Sequence, residues 1–102
     1  MKFVLKNGAV YEAKSFYHAE KDTENGIVTP VSTLVLELTE TPLVLVDSVI
    51  TEFTPENLSD VSIITTDNEG KAKRTTKYCF LSMEKYTLNI SDYEECLTVK
   101  LV

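Results

Sequence analysis

Lys71, Lys73, Arg74 and Lys77 form the only concentration of basic residues in the chain, with Tyr78 and Phe80 close behind. Cations backed by aromatic rings can grip an acidic protein or a nucleic acid, through charge neutralisation and stacking. The simpler reading of the same residues is protective, because lysines on an exposed strand keep a sheet edge from pairing with neighbouring chains. Other chemistry finds few residues to work with. His18 is the single histidine, and no second His or Cys stands at ligand spacing, so a zinc site would lack ligands. The Gly-x-Ser-x-Gly elbow of a nucleophilic hydrolase is missing. Thr65-x-Asp67-x-Glu69-Gly70 has the outline of a calcium loop, but Thr65 replaces its first acidic ligand and Thr76 its closing glutamate. The glycines stand far apart at 8, 26 and 70 and cannot form a phosphate-cradling loop. The residues therefore point to no catalytic, cofactor or metal site, and to a non-enzymatic protein.

The 102 residues fit one domain, and 43% hydrophobic with 25% charged residues is an ordinary globular balance. Ten basic residues against sixteen acidic ones give a formal charge of −6. General nucleic-acid binding draws its affinity from positive charge laid along phosphates, so the balance argues against DNA or RNA as partner. The carboxylates are dispersed rather than gathered in runs, which reads as a solubilising surface. No apolar run is long enough for a membrane helix, and the opening Met1-Lys2-Phe3-Val4-Leu5-Lys6 is too short for a secretory signal. Cys79 and Cys96 are then expected as reduced, partly buried thiols in a cytosolic setting. Asn57-Leu58-Ser59 and Asn89-Ile90-Ser91 match the glycosylation pattern by chance on this reading.

These residues must be positioned by strands. Residues 2–6 and 9–14 flank Asn7-Gly8, a dipeptide suited to a two-residue type I′ hairpin. Residues 15–25 are polar and lead to Gly26, which suggests a mobile loop. A β pattern resumes over residues 27–38, where Pro30 demands an edge, a bulge or a strand start, and Leu34, Leu36 and Leu38 share one face. Over residues 41–53 the signals conflict. Thr41 before Pro42 looks like a helix cap, and Leu43, Val46, Ile50 and Phe53 recur at helical spacing, yet many residues there are β-branched. A short helix is the favoured assignment, followed by a single turn at Thr54-Pro55-Glu56-Asn57.

Residues 61–66 and the stretch from Lys71 onward read as a second hairpin around Asp67-Asn68-Glu69-Gly70. Tyr86, Leu88 and Ile90 alternate in a further strand, a polar turn covers residues 91–95, and Leu97, Val99 and Leu101 alternate in the last. The expected class is mainly β or α+β: a small antiparallel domain of about seven strands with one short helix, a sandwich or a barrel.

The pattern Phe53-Thr54-Pro55-Glu56-Asn57-Leu58-Ser59-Asp60-Val61-Ser62-Ile63, then Lys77-Tyr78-Cys79-Phe80-Leu81, then Leu97-Thr98-Val99-Lys100-Leu101 resembles small proteins of tail and baseplate modules in phages of Gram-positive bacteria. Leu5-Lys6-Asn7-Gly8 with Tyr11 is similar to theirs as well. The resemblance implies a virion or prophage component, made in the host cytoplasm and then built into the virion. Its partners would be other phage tail proteins, with a homo-oligomer compatible and neither nucleic acid nor membrane required. A different class fits the same acidic single domain: a small phage-encoded inhibitor that binds a host protein.

Overall fold

A computed structural model of the chain describes the backbone of residues 1–24 and 27–102 and the side chains of residues 1–18 and 30–102. Its elements run β1 (Lys2–Val4), β2 (Val10–Glu24), β3 (Ile27–Glu37), α1 (Pro42–Glu52), α2 (Pro55–Leu58), β4 (Val61–Thr66), β5 (Ala72–Tyr78), β6 (Met83–Ile90) and β7 (Glu95–Leu101). All seven strands belong to one antiparallel sheet of order β5-β4-β1-β2-β3-β7-β6. The expected class is therefore found: mainly β, with the helix over residues 41–53 and a single turn after it.

The opening hairpin forms at Asn7-Gly8, but its loop has one more residue than a type I′ turn allows. The Gly8 amide donates to the Leu5 carbonyl at 2.9 Å and the Leu5 amide to the Ala9 carbonyl at 2.9 Å, leaving Lys6, Asn7 and Gly8 as the loop. That closure puts the left-handed residue last, where Gly8 takes φ +90. The Asn7 side chain supports it by accepting from the Ala9 amide at 3.0 Å. At the second hairpin Gly70 plays the same part at φ +80, and Asp67 Oδ1 accepts from the amides of Glu69 and Lys71.

Residues 15–24, expected as a loop, continue β2 instead and pair with β3 as far as Glu24 opposite Ile27; the expected turn at Asn25 and Gly26 lies outside the described residues. The period-2 signal is broken there by irregularities between Ala13 and Ser15 and between Tyr17 and Glu20. At the first, two steps on β2 oppose one step on β3, so Phe16 rather than Ser15 or Tyr17 follows Tyr11 and Ala13 onto the core face. Phe16 pairs with the buried Leu34, and Tyr17 is left exposed. Pro30 pairs with Lys21 on β2 and lies beyond Ser32, the last β3 residue paired to β7, so among the described residues it has a strand neighbour on one side only.

The core is built by the inner face of this sheet and one side of α1: Phe3, Leu5, Tyr11, Ala13, Leu34, Leu36, Val61, Ile63, Leu97, Val99 and Leu101 meet Leu45, Val49 and Phe53. Phe53 stacks on Phe3 with ring centres 5.6 Å apart and meets the Tyr11 edge at 5.2 Å. Leu45 and Val49 are the buried residues of α1, with Phe53 just after it; of the expected Leu43, Val46, Ile50 and Phe53, Phe53 is buried and Val46 packs partly against the core, whereas Leu43 and Ile50 point to solvent. Pro42 occupies the first helical turn and Thr41 caps through its backbone conformation alone. In α2 the Thr54 hydroxyl does accept from the Asn57 amide, at 3.3 Å. Asn57 then links three elements: its side chain donates to the Glu52 carbonyl at 3.0 Å, and its carbonyl accepts from the Lys6 amide at 3.1 Å.

The two end strands are joined by residues 79–82 alone. Such a link spans at most roughly 17 Å, whereas the edges of a flat seven-stranded sheet lie about 29 Å apart. The sheet must therefore curl. Six antiparallel steps leave β5 and β6 running the same way. No ladder joins β5 to β6 among the described residues, so both are edges. In the link, Phe80 is buried; its amide donates to the Leu58 carbonyl at 2.8 Å, and the Leu81 amide to that of Val102 at 2.7 Å.

Candidate interaction surface

The basic cluster lies on β5, one of the two edges of the sheet. Register with β4 assigns its faces: Arg74, Thr76 and Tyr78 lie opposite Thr65, Ile63 and Val61, and so continue the core side of the sheet. Lys73, Thr75 and Lys77 point the other way. Lys77 Nζ reaches Asp60 Oδ1 at 3.3 Å and Lys71 Nζ reaches Glu69 at 3.9 Å, both in solvent, where such pairs contribute about 0–1 kcal/mol. Among the described residues Lys73 and Arg74 have no ion-pair partner.

The aromatic half of the cluster behaves differently. Tyr78 is half-buried against His18 and Phe16, with ring centres at 4.6 and 5.1 Å, and Phe80 is a core residue. The six residues named from the sequence therefore divide. Lys71, Lys73, Arg74 and Lys77 are available to a partner, Tyr78 offers an edge, and Phe80 holds the link between the end strands. His18 sits on β2 rather than in a loop, with Nδ1 3.2 Å from the Ser32 hydroxyl. Among the described residues no three His, Cys, Asp or Glu side chains gather into a metal-binding group.

A second surface was not legible as such. On β6 the register sets Tyr86 against Val99 and Leu88 against Leu97, so these side chains point to the core side of the sheet. Yet β6 is the other edge, beyond the reach of α1, and Tyr86, Leu88 and Ile90 are 40%, 36% and 58% exposed. Their alternation marks a strand; only the strand order reveals that nothing within the described residues covers it. The turn that follows carries Asp92 and Glu94, with Tyr93 fully in solvent, and Glu95 opens β7.

The structure also gathers carboxylates that are dispersed in sequence. A groove of about 260 Å³ between α1 and strands β2 and β3 is lined by Glu12, Glu37, Glu40 and Glu52. The Tyr11 hydroxyl bonds the Ser48 hydroxyl there at 2.8 Å. Burial raises the Tyr11 pKa, Glu52 and Glu40 add to the rise, and the Ser48 bond opposes it.

The cysteines differ from the expected pair of partly buried thiols: both are free, but Cys79 is exposed and Cys96 is fully buried. Burial raises the Cys96 pKa, and its hydrogen bond to Glu94 Oε1 at 3.3 Å adds to the effect. The side-chain amides of both glycosylation-like asparagines are engaged, Asn57 with Glu52 and Asn89 with the Thr98 hydroxyl at 3.2 Å.

No protein-family model, curated protein or solved structure matches the chain. The surfaces must be read on their own chemistry. An exposed apolar row on one edge and unpaired cations on the other are features that contact with protein would satisfy.

Proposed function

We propose that this protein is a non-enzymatic structural or adaptor component of a phage or prophage tail tip or baseplate, acting through protein–protein contacts. One observation carries the binding part of this reading: the row Tyr86, Leu88 and Ile90 is apolar, contiguous and exposed on an edge strand. Covering such a row releases free energy, at about 25 cal/mol per Å² of apolar surface removed from water. The assignment to tail or baseplate rests on the resemblance of the segments around Phe53, Lys77 and Leu97. The acidic surface suits protein partners and disfavours nucleic acid.

The test is proteomic. Virions of a phage encoding the chain, purified through a density gradient, should contain it in a fixed ratio to tail proteins, and a tagged copy should co-purify with them. Absence from virions and from tail assemblies, with capture of one host protein instead, would replace this reading by the host-directed inhibitor.

A further inference from the structure

The two open edges differ in charge, and the difference selects a partner. Strand β5 carries Lys73, Arg74 and Lys77, with Lys71 just before it. Strand β6 carries Glu84 and Lys85, whose charges cancel, and leads into a turn that holds Asp92 and Glu94, with Glu95 opening β7. Pairing β5 with the β5 of another copy would stack cations on cations. Antiparallel pairing of β6 with itself would bring Glu84 and Lys85 of each copy toward Asp92 and Glu94 of the other, which gives no net attraction. Of the three pairings, the start of β5 against the turn after β6 brings the largest opposite net charges together.

We propose that β5 of one copy adds to β6 of a second copy, continuing the sheet from molecule to molecule. This rests on the reading that the chain works through protein contacts, and names one of its partners. The strands match in length, seven residues against eight. Antiparallel addition sets the basic start of β5 beside the acidic turn that follows β6. Keeping the core faces continuous then fixes the register: Tyr78 opposite Tyr86, Thr76 opposite Leu88, and Arg74 opposite Ile90. In that register Lys71 and Lys73 lie alongside residues 91–93, within side-chain reach of Asp92 and Glu94. The half-exposed row on β6 gains cross-strand neighbours, including an aromatic pair of the kind that stabilises sheets. The contact uses different surfaces on the two copies, so it is head-to-tail and generates a ring if it closes or a filament if it does not. One molecule cannot make this contact with itself, because its own β5 and β6 run the same way in the sheet and the contact is antiparallel.

The experiment is light scattering on the full chain over a dilution series, with two charge-reversed variants. The wild type is expected to show a mass rising with concentration through multiples of 11.5 kDa. Lys73→Glu with Arg74→Glu cancels the net charge of β5 and sets carboxylates beside the acidic turn, and Asp92→Lys with Glu94→Lys sets lysines beside the basic start of β5, so each variant alone should remain at the monomer mass. Mixing them should restore assembly, because each now complements the other. All four positions are exposed, and circular dichroism of each variant checks that the fold is kept. A wild type that stays at 11.5 kDa throughout overturns the proposal. So does a mixture that stays monomeric, or a β5 variant that assembles more than the wild type, as pure edge protection requires. Failure of any of these leaves tail association, measured on virions, standing or falling by itself.

Discussion

Replacing Gly8 probes the opening hairpin, and the structure separates the contributions to the cost. A Cβ built at Gly8 meets nothing within 4 Å, so no clash contributes. What remains is the backbone conformation: at φ +90 an L-residue is strained by about 1–2 kcal/mol. Gly8→Ala gains back about 0.4–1 kcal/mol by restricting the unfolded chain, for a net loss of about 1 kcal/mol. Gly8→Val adds the crowding of a β-branched side chain and should lose about 2 kcal/mol, within the usual range for strained residues. Gly8→Asn, whose side chain tolerates the left-handed region, should lie within about 0.5 kcal/mol of wild type. Urea titration measures the differences through the midpoint at constant slope. In thermal melts about 1 kcal/mol corresponds to roughly 4–8 °C for a domain of this size. Gly70→Ala supplies the control, since its φ is +80 and its surroundings are equally open. Equal stability of wild type, Gly8→Ala and Gly8→Val would refute the left-handed closure at Gly8.

The orientation of α1 is tested by paired truncations: Leu45→Ala should cost about 2–4 kcal/mol and Phe53→Ala about 3–5 kcal/mol, whereas Leu43→Ala should stay within about 0.5 kcal/mol in the same denaturation assay. Thiol titration without reductant should find one reactive group in the native protein, Cys79, and two in denaturant, because Cys96 is buried and its thiolate disfavoured; no free thiol in denaturant would show a disulfide. Tyr11 supplies a pH dependence. Its pKa is raised in the folded state, so folding holds the proton more tightly than the unfolded chain, whose value is about 10. The contribution is therefore complete below pH of about 10 and is lost as pH rises through the higher folded pKa. Urea midpoints taken above pH 10 should fall less steeply for Tyr11→Phe than for wild type.

Strand β4 and the alternating Leu97, Val99 and Leu101 of β7 are legible from sequence, as are the positions of the turns at Gly8 and Gly70, because each follows from local sterics. The helix is legible in place but not in orientation. Leu43, Val44, Leu45, Val46, Val49 and Ile50 are all apolar, so spacing alone permits several buried faces. The choice is made by long-range contacts: Phe53 against Phe3 and Tyr11, and Ser48 against the Tyr11 hydroxyl. The same burial overrides the β-branched composition, and Thr51 returns its hydroxyl to the Asp47 carbonyl at 2.8 Å, a bond compatible with the helix.

Strand β2 shows how a surface is hidden from sequence. A reader following period two from Tyr11 and Ala13 arrives at Ser15 and Tyr17 and finds no apolar face, so the strand appears to end. The extra residue after Ala13 shifts the parity and brings Phe16 inward, where Tyr78 and Phe80 meet it. Edge status is hidden in the same way, since alternation reports which face a side chain takes but not whether anything lies over that face. Tyr86, Leu88 and Ile90 alternate as regularly as Leu97, Val99 and Leu101, yet the first row is exposed or half-exposed and the second is buried. The difference comes from position: β7 lies between β3 and β6, whereas β6 has one neighbour and α1 covers the sheet elsewhere. A chain of this size has too little helix to cover the inner face of seven strands, and the strand left uncovered is where a partner gains the most by binding.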